Sequence, residues 1–276
     1  MAKSILITGC STGIGYDCAH YLKSKGWRVF ASCRKQEDCD RLISEGFESP
    51  RIDYEEEASV EAGLAEVLDA TGGTLDALFN NGAYAIPGAV EDLPRAALRQ
   101  IFEANLFGYH DLTRRVIPVM RTQGHGRILN CSSVLGFAAL KWRGAYNTTK
   151  FAMEGLSDTM RLELRDSGIH VVLIQPGPIT TKIRQNSIPH FEKWIDWENS
   201  ALSGLYRASL HKRLYADDQP PDKFELPPRT VSVKVHEALT VARPKSRYKI
   251  TFPTYLMAVL RRILPRRLFD NILARA

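Results

Sequence analysis

The sequence predicts a doubly wound α/β domain, a parallel sheet covered by helices on both faces. Three observations predict it. Short apolar runs alternate with longer amphipathic segments along most of the chain, the pattern of strand, crossover helix and parallel strand. A glycine cluster falls directly between the first apolar run and the first amphipathic segment. The length of 276 residues, with 44% hydrophobic and 25% charged residues, suits one large soluble core.

In chain order, "ILIT" reads as the first strand and about Gly13 to Lys25 as the first helix. "RVFASC" precedes the helical "KQEDCDRLISEG", and "RID" precedes "EASVEAGLAEVLDA". "LDALFNN" leads through a loop into "RAALRQIFEANLFGYHDLTRRVIPVMR". "GRILNCSS" comes before a helix around Tyr146, and "HVVLIQPGP" follows it. Pro176-Gly177-Pro178 then punctuates the chain. A long insertion of weak periodicity and many aromatics runs from about 181 to 228. A helix at about Thr230 to Thr240 and a strand, "RYKIT", close the body. The whole of 1–276 reads as a single domain, and a basic amphipathic tail occupies about 254–276.

Composition excludes several classes. Cys10, Cys18, Cys33, Cys39 and Cys131 are odd in number and lack C-x-x-C spacing, and no H-x-x-x-H pair occurs, so neither a disulfide framework nor a metal site is expected. The first strand starts at Ser4, and no run approaches the roughly 18 apolar residues of a membrane span, so the chain reads as cytoplasmic. Of 37 Lys/Arg and 31 Asp/Glu, nine basic residues and one acid lie from Arg243 onward, which leaves 28 basic and 30 acidic residues before it. The net charge of +6 is therefore a property of the stretch from Arg243 to the end of the chain, not of a face built to grip nucleic acid.

In open α/β sheets ligands bind beyond the carboxyl ends of the strands, where the winding reverses. "TGCSTGIG" (Thr8 to Gly15) stands at such an end. Gly9, Gly13 and Gly15 permit a tight turn, close backbone approach to a pyrophosphate and close helix packing, with Ser11, Thr12 and Ile14 between them. Such a cluster also fits a purely structural turn, and its position after the first strand favours a nucleotide. The second strand ends in Cys33, Arg34 and Lys35, where NAD binding usually wants a carboxylate for the ribose 2′-hydroxyl. A guanidinium there suits the 2′-phosphate of NADP(H), although both cations could also be solvated loop charges. Asp53, closing the third strand, is a candidate for the adenine amino group or a turn cap.

Tyr146 and Lys150 lie four residues apart in a helical segment, and so share one face. A lysine charge about 4 Å from the phenol, at an effective dielectric of about 20, would favour phenolate by about 4 kcal/mol. That is roughly three pKa units before desolvation opposes it. The pair predicts acid–base work.

Together these residues resemble the short-chain dehydrogenases/reductases, from about Ser4 to Thr181. "TGCSTGIG" is similar to the family's cofactor loop. "NNGA" (Asn80 to Ala83) resembles its N-N-A-G motif with Gly82 and Ala83 in swapped order. Asn105 in "EANLFG" falls at the family's structural and catalytic asparagine, Ser133 in "SSVLG" at its serine, and "YNTTK" at its Y-x-x-x-K pair. "PGPITT" resembles the P-G-x-[VI]-x-T segment beside the nicotinamide. The resemblance implies a Rossmann-type fold, with Tyr146, Lys150, Ser133 and Asn105 as the catalytic set. Lys150 would hold the nicotinamide ribose, Ser133 the substrate oxygen, and Asn105 a proton-relaying water. It implicates Asn81, Gly82, Pro176, Gly177, Ile179 and Thr181 in cofactor binding. The chain looks similar to bacterial NADP-dependent aldehyde reductases related to 17β-hydroxysteroid dehydrogenases, and family analogy suggests a homodimer.

Phe137, Leu140 and Trp142, with Phe191, Trp194, Trp197, Leu205 and Tyr206 of the insertion, suggest a lid over an apolar carbonyl compound, with Phe137 and Trp142 against the substrate beside Ser133 and Tyr146. The same aromatics equally suit a packing core of the lid itself. In the tail, Leu256, Val259, Leu260, Ile263 and Leu264 form one helical stripe, and Leu268, Phe269, Ile272 and Leu273 a second beyond Pro265. Docking on the body or a second subunit is the ordinary expectation; contact with anionic lipid is the other. The competing functions are a redox-sensing regulator that binds NADP(H) without catalysis and a sugar-nucleotide epimerase or dehydratase. The first has no need of a serine–tyrosine–lysine set. The second usually carries a different glycine spacing and a larger sugar lobe.

Overall fold

A computed structural model describes residues 2–216 and 222–275. Strands β1 (Ser4–Ile7), β2 (Arg28–Ala31), β3 (Ala77–Asn80), β4 (Gly126–Cys131), β5 (Ile169–Pro176) and β6 (Arg247–Ile250) form one sheet in the order β2-β1-β3-β4-β5-β6. Every pairing is parallel. The winding therefore reverses between β1 and β3, the place where such sheets hold ligands.

The sheet is apolar on both faces because side chains alternate along each strand. Ile5 and Ile7 point to one side, with α1 (Gly13–Ser24), α2 (Gln36–Ser44) and α10 (Arg229–Thr240). Leu6 points to the other, with α3 (Glu57–Thr71), α5 (Gly108–Gln123) and α6 (Gly144–Glu163). All five cysteines are buried and unbridged within the fold. No helix among the described residues is long and apolar enough to cross a membrane.

Two expectations are corrected. "RID" does not form a third strand: the segment makes only isolated parallel bridges, Phe30 to Glu48 and Cys33 to Arg51, so Asp53 follows an edge contact rather than a strand. The insertion is more helical than its weak periodicity suggested. It contains α7 (Ile183–Trp194), α8 (Ser203–Leu205) and α9 (Lys212–Tyr215), while its stretch 217–221 lies outside the described residues. The two tail stripes fall, as expected, on separate helices to either side of Pro265, α11 (Phe252–Ile263) and α12 (Arg266–Leu273). Leu260, Leu264, Phe269 and Leu273 dock on the body, whereas Leu256, Val259, Ile263, Leu268 and Ile272 stay exposed.

Phe191 and Tyr206 are wholly buried and gather Trp142, Trp194, Trp197 and Leu202 about them. The Tyr206 hydroxyl donates to Asp92 Oδ2 at 2.7 Å and accepts from the Ala89 amide at 2.7 Å. Reciprocal backbone bonds, Thr180 N to Leu226 O at 3.0 Å and Leu226 N to Pro178 O at 3.2 Å, close the neck of the insertion. Of the two lid readings, the self-packed core is the one observed.

Candidate active site

The loops after β1 and β3 are sewn together by one threonine. Thr8 Oγ1 accepts from the Asn81 amide at 2.9 Å and the Gly82 amide at 3.2 Å, and meets the Tyr54 hydroxyl at 2.8 Å. Asn81 Nδ2 donates to the carbonyls of Thr8 (3.0 Å) and Gly9 (3.3 Å), so this amide is spent on the loop itself. Gly9 has φ +68, and a methyl group on it would meet Gly82 Cα at 2.4 Å. Gly15 is equally constrained, since a Cβ there would lie 2.3 Å from the Gly9 carbonyl oxygen. At Gly82, the glycine of the swapped "NNGA" order, an added Cβ meets Gly9 at 3.3 Å, and Ala83 is exposed. Gly9→Ala is expected to lower stability by about 2 kcal/mol or more through left-handed backbone strain and overlap. Gly82→Ala should cost under about 1 kcal/mol. Urea melts of the two variants check the contrast; equal midpoints would contradict the contact.

Beyond this seam lies a cavity of about 670 Å³ lined by Gly9, Ser11, Thr12, Arg34, Lys35, Asp53 and Gly82 among others. Thr12 caps α1 without a side-chain bond, and the first turn carries no acid, which leaves the amides of the helix N-terminus suited to an anion. Arg34 and Lys35 are exposed and form no ion pair among the described residues. Burial pushes the Asp53 carboxyl up, while the Arg34 charge opposes it; Asp53 Oδ1 also accepts from the Glu55 amide at 3.0 Å. The turn-cap role is thus realised. Tyr54, Tyr84, Lys182 and His190 line the same cavity and carried no motif; stacking of Tyr84 on His190 (centroids 4.0 Å apart) brings α7 over it. Arg34, Lys35 and Lys182 share this lining with Asp38, Asp53 and Glu55, and the groups on it suited to a phosphate are the loop amides at the start of α1 and the Arg34–Lys35 pair.

A second cavity, about 320 Å³, is lined by Ile14, Ala85, Ser133, Leu135, Leu140, Arg143, Tyr146, Pro176, Gly177, Ile179, Thr181 and Ile183 among others. Thr181 stands over the glycine loop, where a Cβ on Gly13 would approach its methyl to 3.1 Å. Gly177 is needed for space: a Cβ there would lie 2.2 Å from Thr251 Oγ1.

Tyr146 and Lys150 share the inner face of α6. Lys150 is 1% exposed and its Nζ donates to the Cys131 carbonyl at 2.7 Å, lying 5.4 Å from the Tyr146 ring centre. Burial lowers the Lys150 ammonium to about 8. The expected acidic phenol is corrected. Burial, with a contribution from Cys131, holds Tyr146 well above the ordinary tyrosine range, and Arg143 supplies the opposing charge rather than Lys150. Desolvation wins because the ammonium is turned to a backbone carbonyl and both groups have left water. A phenol so held keeps its proton at neutral pH. Ser133 Oγ accepts from the Leu135 amide at 3.1 Å, and its hydroxyl has a long contact of 3.5 Å to the Pro176 carbonyl.

Asn105 is wholly buried in a π-helical turn (Glu103–Phe107) between α4 (Arg95–Phe102) and α5. Its Oδ1 accepts from the Tyr84 amide at 3.1 Å. Its Nδ2 donates to the Tyr84 carbonyl at 2.9 Å and Thr149 Oγ1 at 3.3 Å. Both amide protons are committed, and the side chain ties the loop after β3 to α6. Phe137 and Trp142 do not line the cavity, which corrects their assignment to the substrate. Phe137 packs with Phe269 and Leu273 of the tail, and Trp142 lies 4.7 Å, centre to centre, from the Tyr206 ring. Arg143, Arg184 and Arg213 face the cavity instead, and nothing in a motif singled them out.

The model for the short chain dehydrogenase family matches residues 3–191. The uncharacterized oxidoreductase YbbO of Escherichia coli K12 is 40% identical over 99% of this chain and 94% of its own. The NADPH-dependent 3-dehydrocapnine reductase of Ornithobacterium rhinotracheale is 29% identical over 97% of this chain and 94% of its own. A short-chain dehydrogenase structure from Streptomyces avermitilis superimposes with a TM-score of 0.78 at 24% identity, covering 99% of this chain and 97% of that one. The structure of a short chain dehydrogenase/reductase from Burkholderia phymatum in complex with NAD gives the same TM-score of 0.78 at 22% identity, with 99% of this chain and 95% of that one covered. A family match over more than half of the chain and a relative 40% identical along nearly all of it agree, and the chain belongs to the short-chain dehydrogenase family of oxidoreductases.

Proposed function

We propose that the protein interconverts an aldehyde or ketone and its alcohol with NADP(H) as coenzyme. The observation that carries the reaction is Ser133 and Tyr146 lining one cavity, with the Lys150 ammonium buried behind the phenol. The observation that favours NADP(H) is the pair Arg34 and Lys35, lining the dinucleotide cavity with no acid paired to them among the described residues.

Gly9, Ser11, Thr12, Gly13 and Gly15 would hold the pyrophosphate, Arg34 and Lys35 the 2′-phosphate, and Ile14, Pro176, Gly177, Ile179 and Thr181 the nicotinamide end. When bound, the coenzyme supplies the hydride. Tyr146 gives its phenolic proton to the carbonyl oxygen as that oxygen becomes an alcohol. Ser133 donates a hydrogen bond to the same oxygen, and the Lys150 ammonium, which does not set the resting pKa of the phenol, lies 5.4 Å from the ring and adds positive charge behind the phenolate as it forms. Asn105 acts as a positioning residue through Tyr84 and Thr149. The raised phenol pKa suits the reductive direction, which needs a protonated donor. Ile14, Leu135, Leu140, Ile179 and Ile183 give the cavity an apolar wall for the body of the carbonyl compound.

The test is NADPH and NADH consumption against a panel of aldehydes and ketosteroids. NADPH-dependent turnover of at least one class is expected. Tight NADPH binding with no turnover across the panel would point instead to the sensing regulator. A pH series adds an independent check. Lys150 carries its charge below about 8 and loses it above, so kcat/KM for reduction is expected to fall by up to tenfold per pH unit above that value. A flat profile to pH about 10 would remove the role given to the ammonium.

A further inference from the structure

The cavity holding Ser133 and Tyr146 contains a cation with no direct partner among the described residues, on which Asp222 acts only at a distance. Arg143 is half-buried and lines the cavity, and its guanidinium makes no hydrogen bond or ion pair among the described residues. Two other arginines and two acids face the same space. Asp222 is engaged by Arg213, whose Nη2 lies 2.9 Å from both carboxylate oxygens, and by Arg184 at 3.3 Å. Glu225 accepts from the Asp222 amide at 2.8 Å. Neither acid hydrogen-bonds Arg143.

The local backbone works to keep Arg143 where it is. Trp142 adopts φ 62, a left-handed conformation that a bulky side chain rarely takes. The Trp142 carbonyl is held there by the Gly88 amide at 3.0 Å, and its ring packs against Tyr206. Arg143 is also the N-cap of α6, the positive end of a helix dipole, where a cation is unfavourable and an anion welcome. A strained neighbour, Trp142, adjoins a position where a mismatched dipole meets a guanidinium unpaired among the described residues, and an anion on the ligand would relieve the last two together.

We propose that the substrate is a carbonyl compound bearing an anionic oxygen group, a carboxylate or sulfonate, which pairs with Arg143 while its apolar body lies along Leu135, Leu140 and Ile183. This names the substrate class for the reductase reading and rests on it. Arg143 is the specificity-determining residue, and the reacting atoms are left to Tyr146 and Ser133.

The test compares 2-, 3- and 4-carboxybenzaldehyde with their methyl esters in wild type, Arg143→Gln and Arg143→Lys. At least one acid is expected to exceed its ester in kcat/KM by about tenfold or more in wild type. That ratio should collapse to about one in Arg143→Gln and survive in part in Arg143→Lys. No acid preferred over its ester in wild type, or a ratio unchanged in Arg143→Gln, overturns the proposal. Binding is read separately by thermal melts with benzoate or benzenesulfonate. Either anion at about 10 mM should raise the wild-type Tm by about 2 °C or more and leave Arg143→Gln unmoved. Without added anion, Arg143→Gln should melt no lower than wild type, since it sheds an unpaired charge. Loss of all carbonyl reduction with this anion response intact would sink the reductase reading alone. Absence of the anion response in wild type would sink the subsite alone.

Discussion

Tyr146→Phe is expected to lower kcat for carbonyl reduction by about 10³-fold while leaving the dissociation constant for NADPH within about threefold. The substitution removes one oxygen and keeps the ring, so the packing of α6 against the loops is preserved. What is lost is the proton that the substrate oxygen must receive. Burial holds that phenol well above its ordinary range, which keeps the donor loaded throughout the neutral region. Lys150 contributes at one remove, from a position fixed by its bond to Cys131. Stopped-flow turnover beside fluorescence titration of NADPH separates the two quantities. A mutant retaining more than about a tenth of wild-type kcat would show that the proton comes from elsewhere.

Replacing Arg34 and Lys35 together by Gln should reduce the NADPH-to-NADH ratio in kcat/KM by about 10² to 10³, almost wholly through NADPH. Each charge-assisted bond to a phosphate is worth about 1.5–3 kcal/mol when the partner would otherwise be unpaired. Both cations line the dinucleotide cavity, and Asp53 nearby is turned to its own loop through the Glu55 amide. NADH carries no 2′-phosphate and should be used nearly as before. If both coenzymes weaken equally, the two residues are shaping the loop rather than reading the phosphate. Steady-state kinetics with each coenzyme decide it.

Local rules explain why much of the site was legible. A glycine at φ +68 between a strand and a helix, a tyrosine and lysine one turn apart, and an alternation of apolar runs with amphipathic ones all act over a few residues. Sequence displays such patterns directly. The short strands and their crossover helices emerged close to their expected positions, while "RID" failed because an edge segment with only isolated bridges looks, residue by residue, like a strand. The two tail stripes were legible as apolar faces, but periodicity does not say how far a face is covered, and only neighbours left Leu256, Val259, Ile263, Leu268 and Ile272 exposed.

Long-range placement decided the rest. The sequence alone determined a doubly wound sheet with a nucleotide loop and a tyrosine–lysine pair, since each is written in spacing that a single helix or turn enforces. Tertiary structure alone decided that Phe137 serves the tail and Trp142 the insertion, that Asn105 clamps Tyr84, and that Arg143 faces the cavity. It also set the sign of the Tyr146 shift, because desolvation depends on everything packed around a group, whereas a charge one turn away is only one contribution to it.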